Sequence, residues 1–109
     1  MIPIFVPSLN DKAKKYVKKC LDDNWISSQG EYIKKFEKAL AKYHKVKYSI
    51  VTSSCTSALH LSLKSLNIKK GDEVICPDLT FIAPANMIAL SGAKLKLIDV
   101  DPETLNIDY

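Results

Sequence analysis

Short apolar runs that alternate with helical segments make this an α/β chain with a mostly parallel, incomplete sheet, and three features carry that reading. From residue 48 onward the runs 48–51, 73–76 and 94–100 are separated by segments of helical character, the pattern of parallel strands joined by right-handed crossovers. The segment 58–66 is apolar over most of its circumference, as expected of a helix buried inside something larger. Two or three strands with one or two helices do not cover both faces, as a parallel sheet requires. The sequence therefore reads as part of a larger, truncated protein.

The elements follow in order. After an extended start flanked by Pro3 and Pro7, Asn10 or Ser8 can cap a helix in which Ala13, Tyr16, Val17, Cys20 and Leu21 recur at i, i+3, i+4, i+7 and i+8. Asp22-Asp23-Asn24 stops it, because acids are unfavourable at the negative end of the helix dipole. A loop, Trp25-Ile26-Ser27-Ser28-Gln29-Gly30, leads to a second helix over about 31–44. Its stripe is aromatic-rich, Tyr32, Ile33, Phe36, Leu40 and Tyr43, and Lys34, Lys35, Lys38 and Lys42 face the other way. A strand is expected over 48–51, then the helix that follows Ser53-Ser54-Cys55-Thr56-Ser57. After the turn Lys69-Lys70-Gly71-Asp72 come a buried strand over 73–76, a helix over about 80–90 with Pro84 in its first turn, and a strand over 94–100. The domain division expected is 1–47, helical, and 48–109, the start of an α/β domain.

Composition narrows the function. The 109 residues are 47% hydrophobic and 26% charged, which fits one globular domain at most and excludes a disordered or collagenous chain. All sixteen basic residues are lysine, and the net charge is +4. Without arginine there is no bidentate reader of phosphates or base edges, so no nucleic-acid partner is expected. Eleven lysines fall in residues 1–48, mostly on solvated helix faces. Cys20, Cys55 and Cys76 are odd in number and widely spaced, so neither a disulfide framework nor a zinc site is suggested. The apolar start lacks a basic leader and is broken by prolines, and no run reaches the ~18 residues of a membrane span. A cytoplasmic protein without a membrane partner is expected.

Chemistry is concentrated where Ser53-Ser54-Cys55-Thr56-Ser57 opens a helix after an apolar run. Hydroxyls and unpaired N–H groups at a helix N-terminus form an anion site suited to a phosphate, although the same residues also serve as ordinary N-caps. No Gly-x-x-x-x-Gly-Lys pattern makes this a nucleotide-triphosphate loop. Phe81 follows a strand end, at the edge where ligands of open α/β folds collect. There it can stack on a planar ring or fill a core. His44 and His60 have no carboxylate or thiol pattern beside them and are assigned to structure. None of the lysines stands out as desolvated enough to form a Schiff base.

Taken together, several stretches resemble one family along the whole chain. They are Pro7-Ser8-Leu9, Asn24-Trp25-Ile26-Ser27-Ser28-Gln29-Gly30 with Phe36-Glu37, Ser53 to Leu61, Gly71-Asp72-Glu73-Val74-Ile75-Cys76-Pro77, Thr80-Phe81-Ile82-Ala83, Gly92-Ala93, and Asp99-Val100-Asp101-Pro102-Glu103-Thr104. This co-linear series resembles the N-terminal part of the DegT/DnrJ/EryC1/StrS aminotransferases, pyridoxal 5'-phosphate (PLP) enzymes of the aspartate aminotransferase fold. The Trp25 to Gly30 stretch is most similar to members that use glutamate to aminate the 4-keto group of GDP-4-keto-6-deoxymannose.

The resemblance implies that Thr56 and Ser57 hold the coenzyme phosphate, that Phe81 stacks on the pyridine ring, and that residues 48–109 begin the PLP-binding domain. It also implies that Trp25, Ser27 and Ser28 lie at the sugar-nucleotide pocket, that the partners are a nucleotide-linked keto sugar and an amino-acid donor, and that the full-length enzyme is a homodimer. Cys55 stands where many members have glycine, and Pro84 where a small or hydroxyl residue is usual. The family's Schiff-base lysine and pyridine-pairing aspartate lie beyond residue 109, so this segment alone is expected to be inactive and holds no catalytic residue of its own. The alternative is a stand-alone, non-catalytic phosphate- or PLP-binding protein derived from the same family.

Overall fold

A computed structural model describes residues 2 and 5–108. The order of elements is α1 (Asp11–Asp22), α2 (Glu31–His44), α3 (Cys55–Ser65), β1 (Glu73–Pro77), α4 (Ile82–Ser91) and β2 (Lys94–Ile98). The chain divides into two compact units, Met1–Ser49 and Ile50–Tyr109, each described by itself.

In the first unit, α1 starts where its cap dictates. Asn10 is extended and its Oδ1 accepts the Ala13 N–H at 2.8 Å, satisfying one of the helix's orphan donors. Of the two candidate caps, Ser8 and Asn10, Asn10 is therefore the one used. The helix ends at Asp23, and Asn24 takes a left-handed φ of 52°. Of the expected stripes, Tyr16 of α1 meets Tyr32 of α2 with ring centroids 5.1 Å apart, tilted by 44°, while Val17, Leu21, Phe36 and Tyr43 are exposed. Ion pairs Lys14–Asp11, Lys18–Asp22 and Lys35–Glu31 lie along the exposed faces at helical spacing, where each contributes little. Hydrogen bonding to Lys35, then its charge, hold the Glu31 carboxyl below its ordinary range, and the same partners raise Lys35.

In the second unit, β1 and β2 pair in parallel, from Glu73 with Lys94 to Pro77 with Ile98. Bonds from Lys94 N–H to Asp72 O at 2.8 Å and from Asp78 N–H to Ile98 O at 3.0 Å extend the ladder at both ends. Since α4 starts where β1 ends and finishes where β2 begins, it runs antiparallel to both. It closes on Gly92 at φ 82°, a left-handed cap that glycine takes without a side-chain clash. A methyl there would lie 3.6 Å from the Lys70 nitrogen, so the end of α4 rests on the turn that leads from α3 into β1. As α3 packs on α4, both helices have their C-termini at the edge where the strands start. Their N-termini point to the edge where the strands end.

Two expectations are corrected. Residues 48–51 belong to no ladder among the described residues: the apolar alternation is present, but a strand needs a neighbour's N–H and C=O groups, and β1 and β2 pair only with each other. The expected strand over 94–100 ends at Ile98, and Val100 instead makes an isolated antiparallel bridge to Ile107. The helix α3, read as buried inside something larger, has no buried residue within this chain. Among the described residues the buried apolar ones are Cys76, Ala83 and Ile88, 1%, 7% and 4% exposed. No helix among the described residues is long and apolar enough to cross a membrane.

The turn that closes on the Val100–Ile107 bridge supplies a pH prediction. Asp101 Oδ1 accepts the N–H groups of Thr104 at 2.6 Å and Glu103 at 3.1 Å. Hydrogen bonding from Thr104, its backbone N–H foremost, holds the carboxyl below its ordinary value. A group whose folded pKa is depressed stabilises the fold above its unfolded value and loses that contribution as pH falls through the folded one. Carboxyl NMR of the whole protein is expected to give Asp101 a midpoint below that of a free aspartate, with the Thr104 amide shift following the same curve. A midpoint at the free value would show that the turn does not hold the carboxylate.

Candidate functional site

Thr56, Ser57 and Phe81 all lie on α3 or at the start of α4, at the edge toward which both helix N-termini point. The local folding of the first two is set by Ser54, which is extended as the N-cap and whose Oγ accepts the Ser57 N–H at 3.1 Å. Thr52 Oγ1 donates to Ser54 O at 2.8 Å, bending the chain into the helix. The hydroxyls gather: Ser57 Oγ lies 3.0 Å from Ser54 Oγ and 3.4 Å from Ser53 Oγ. The N–H groups of Cys55 and Thr56 donate to no group among the described residues, as is usual for the first turn of a helix. Thr56 is half-buried and Ser57 exposed.

This donor set suits a phosphate. Two backbone N–H groups at the positive end of an eleven-residue helix and three or four hydroxyls can together satisfy the oxygens of a dianion, and no carboxylate lies within the turn. Phe81 occupies the cap position of α4 with extended backbone, φ −67° and ψ 151°. Its ring is 77% exposed, so it fills no core within this chain and offers a face to a ligand.

Trp25, Ser27 and Ser28 belong to the other unit, in the loop between α1 and α2. Trp25 N–H donates to Cys20 O at 2.8 Å, and its indole Nε1 donates to Gln29 O at 2.7 Å. The Gln29 N–H in turn donates to Ser27 Oγ at 3.1 Å. Both serines are exposed. Beside the loop, Lys19, Cys20, Asp23, Trp25, Glu31 and Tyr32 line a surface hollow of about 290 Å³. Sequence reasoning did not find this hollow, because it arises from the approach of α1 and α2 rather than from any motif.

Comparison with known proteins identifies the family. The model of the DegT/DnrJ/EryC1/StrS aminotransferase family matches residues 7–109. GDP-perosamine synthase of Escherichia coli O157:H7 is 50% identical over 103 residues, covering 94% of this chain and 28% of that protein. GDP-perosamine synthase of Caulobacter vibrioides is 47% identical over 107 residues, 98% of this chain and 29% of that protein. Among solved structures, E. coli GDP-4-keto-6-deoxy-D-mannose-3-dehydratase with bound hydrated PLP superposes with a TM-score of 0.84 at 31% identity, over 97% of this chain and 28% of that one. The chain thus spans less than a third of the length of these relatives.

Proposed function

The chain belongs to the DegT/DnrJ/EryC1/StrS aminotransferase family, whose coenzyme is pyridoxal 5'-phosphate, and we propose that in the whole protein it forms the phosphate-holding edge of a sugar-nucleotide aminotransferase. The observation that carries the reading is the hydroxyl-lined N-terminus of α3 facing the same sheet edge as the exposed ring of Phe81. The coenzyme, when bound, supplies an electron sink for bond changes at the amino-acid Cα. This chain's residues bind and orient it. The N–H groups of Cys55 and Thr56, with the Thr56 and Ser57 hydroxyls, hold the phosphate. Phe81 covers one face of the pyridine ring and keeps water from it.

The substrate assignment rests on the likeness to GDP-perosamine synthases. The amino group passes from glutamate to the 4-keto carbon of GDP-4-keto-6-deoxymannose, leaving 2-oxoglutarate and the 4-amino sugar. The loop that carries Trp25, Ser27 and Ser28 meets the sugar nucleotide, and the protein acts as a homodimer. The proton-transferring lysine and the pyridine-pairing aspartate come from outside residues 1–109, so these residues alone do not transaminate.

The test is to supply the whole protein with PLP, glutamate and GDP-4-keto-6-deoxymannose and to follow both products by mass spectrometry. One 2-oxoglutarate per 4-amino sugar is expected. Loss of the 3-hydroxyl instead would assign the protein to the dehydratase chemistry named for its structural neighbour. No turnover of GDP-, UDP- or dTDP-linked keto sugars would overturn the reading.

A further inference from the structure

The geometry points to Trp25 and Gly30 as positioning residues for the sugar nucleotide: an indole clasp closed over a glycine holds the Ser27 hydroxyl, and with it Ser28, at the tip of the α1–α2 loop. This rests on the reading that the loop meets the sugar nucleotide. Both ends of the loop are fixed. Trp25 N–H is bonded to Cys20 O of α1 at 2.8 Å, and Gly30 O accepts the Lys34 N–H of α2 at 3.4 Å. Between them the bonds Trp25 Nε1 to Gln29 O, 2.7 Å, and Gln29 N to Ser27 Oγ, 3.1 Å, draw the chain into one closed shape. Ser27 thereby accepts a bond on its inner side, and its hydroxyl proton remains to be donated outward.

Gly30 is required for space. Its φ of 176° is open to any residue, but a Cβ there would lie 2.6 Å from Trp25 Nε1, closer than real Cβ atoms come, and 3.2 Å from Cδ1, a tight contact. Any side chain at position 30 therefore pushes the indole off the Gln29 carbonyl. Within this chain the clasp buries little of the indole, and Trp25 remains 58% exposed. What the contact fixes is the path of residues 26–29, hence the direction in which Ser27 and Ser28 present their hydroxyls.

The experiment uses the whole holoenzyme and separates the two half-reactions. Trp25→Phe, which keeps a ring but removes the donor, and Gly30→Ala are each expected to raise KM for GDP-4-keto-6-deoxymannose about tenfold, the loss of one well-placed hydrogen bond. The rate constant for the reaction with glutamate, read from the coenzyme spectrum, is expected to stay within twofold. The double variant is expected to be no worse than Trp25→Phe, because both changes break one clasp. If Ser27→Ala or Ser28→Ala raises that KM while Trp25→Phe and Gly30→Ala do not, the positioning role is overturned and the loop's place at the sugar nucleotide stands. If none of the four variants moves it, the loop reading itself fails. Equal damage to both half-reactions with a lowered Tm would make the clasp purely structural and overturn the inference.

Discussion

Replacing Thr56 with valine and Ser57 with alanine together is expected to weaken PLP binding by the whole protein at least about a hundredfold. Hydrogen bonds to a charged group contribute about 1.5–3 kcal/mol each, and every 1.4 kcal/mol is about tenfold in affinity. Losing two hydroxyl donors therefore costs about 3 kcal/mol or more. The backbone N–H groups of Cys55 and Thr56 survive both substitutions, so binding should be reduced and not abolished. Thr56→Val also keeps the half-buried volume of the threonine, which separates lost bonding from lost packing. The measurement is a titration of apoprotein with PLP followed by absorbance. Retention of full affinity would remove the phosphate from the start of α3. Ser54→Ala tests the same turn from the other side. Its Oγ occupies the Ser57 N–H, so the change costs about 1 kcal/mol of helix capping while releasing one more donor toward the anion.

The parts of this site were unequally legible in the amino-acid sequence. The hydroxyl cluster at the start of α3 could be read because it is local, and the structure adds that Ser54 is the residue that caps. The two N-terminal helices were equally local, since their stripes and the Asn10 cap need no distant partner. Residues 48–51 mark the limit. Strand pairing is a relation between segments, and Tyr48 and Ile50, both exposed, alternate correctly without a neighbouring strand among the described residues. The Val100–Ile107 bridge escaped notice for the converse reason, as the left-handed Leu105 with φ 55° that makes the return possible has no glycine to announce it. Gly30 reads in sequence as a turn residue, yet its backbone is extended. Its real constraint is an indole five residues away, which only coordinates reveal.

Residues 1–109 made as a separate polypeptide are expected to show helical far-UV dichroism, weak near-UV dichroism, strong binding of a hydrophobic dye and no transamination with glutamate. Among the described residues, Cys76, Ala83 and Ile88 are the ones buried in the second unit. Burying side chains of this size yields roughly 1.5–3 kcal/mol for each large one, against a backbone ordering cost of about 1–2 kcal/mol per residue. The same unit leaves Ile75, Leu79, Phe81, Ile82, Leu90 and Leu97 exposed, and exposed apolar surface on this scale marks a face made to be covered. Both faces of the β1–β2 pair need cover that α3 and α4 alone do not give. A loosely packed state with native-like helices but no fixed side-chain packing is the physical consequence. The opposite result is equally readable: cooperative unfolding, a monomer by sedimentation and PLP bound without turnover would mean that the unit folds by itself. That outcome would favour an independent coenzyme- or phosphate-binding protein, and the expectation of a loosely packed fragment would fail.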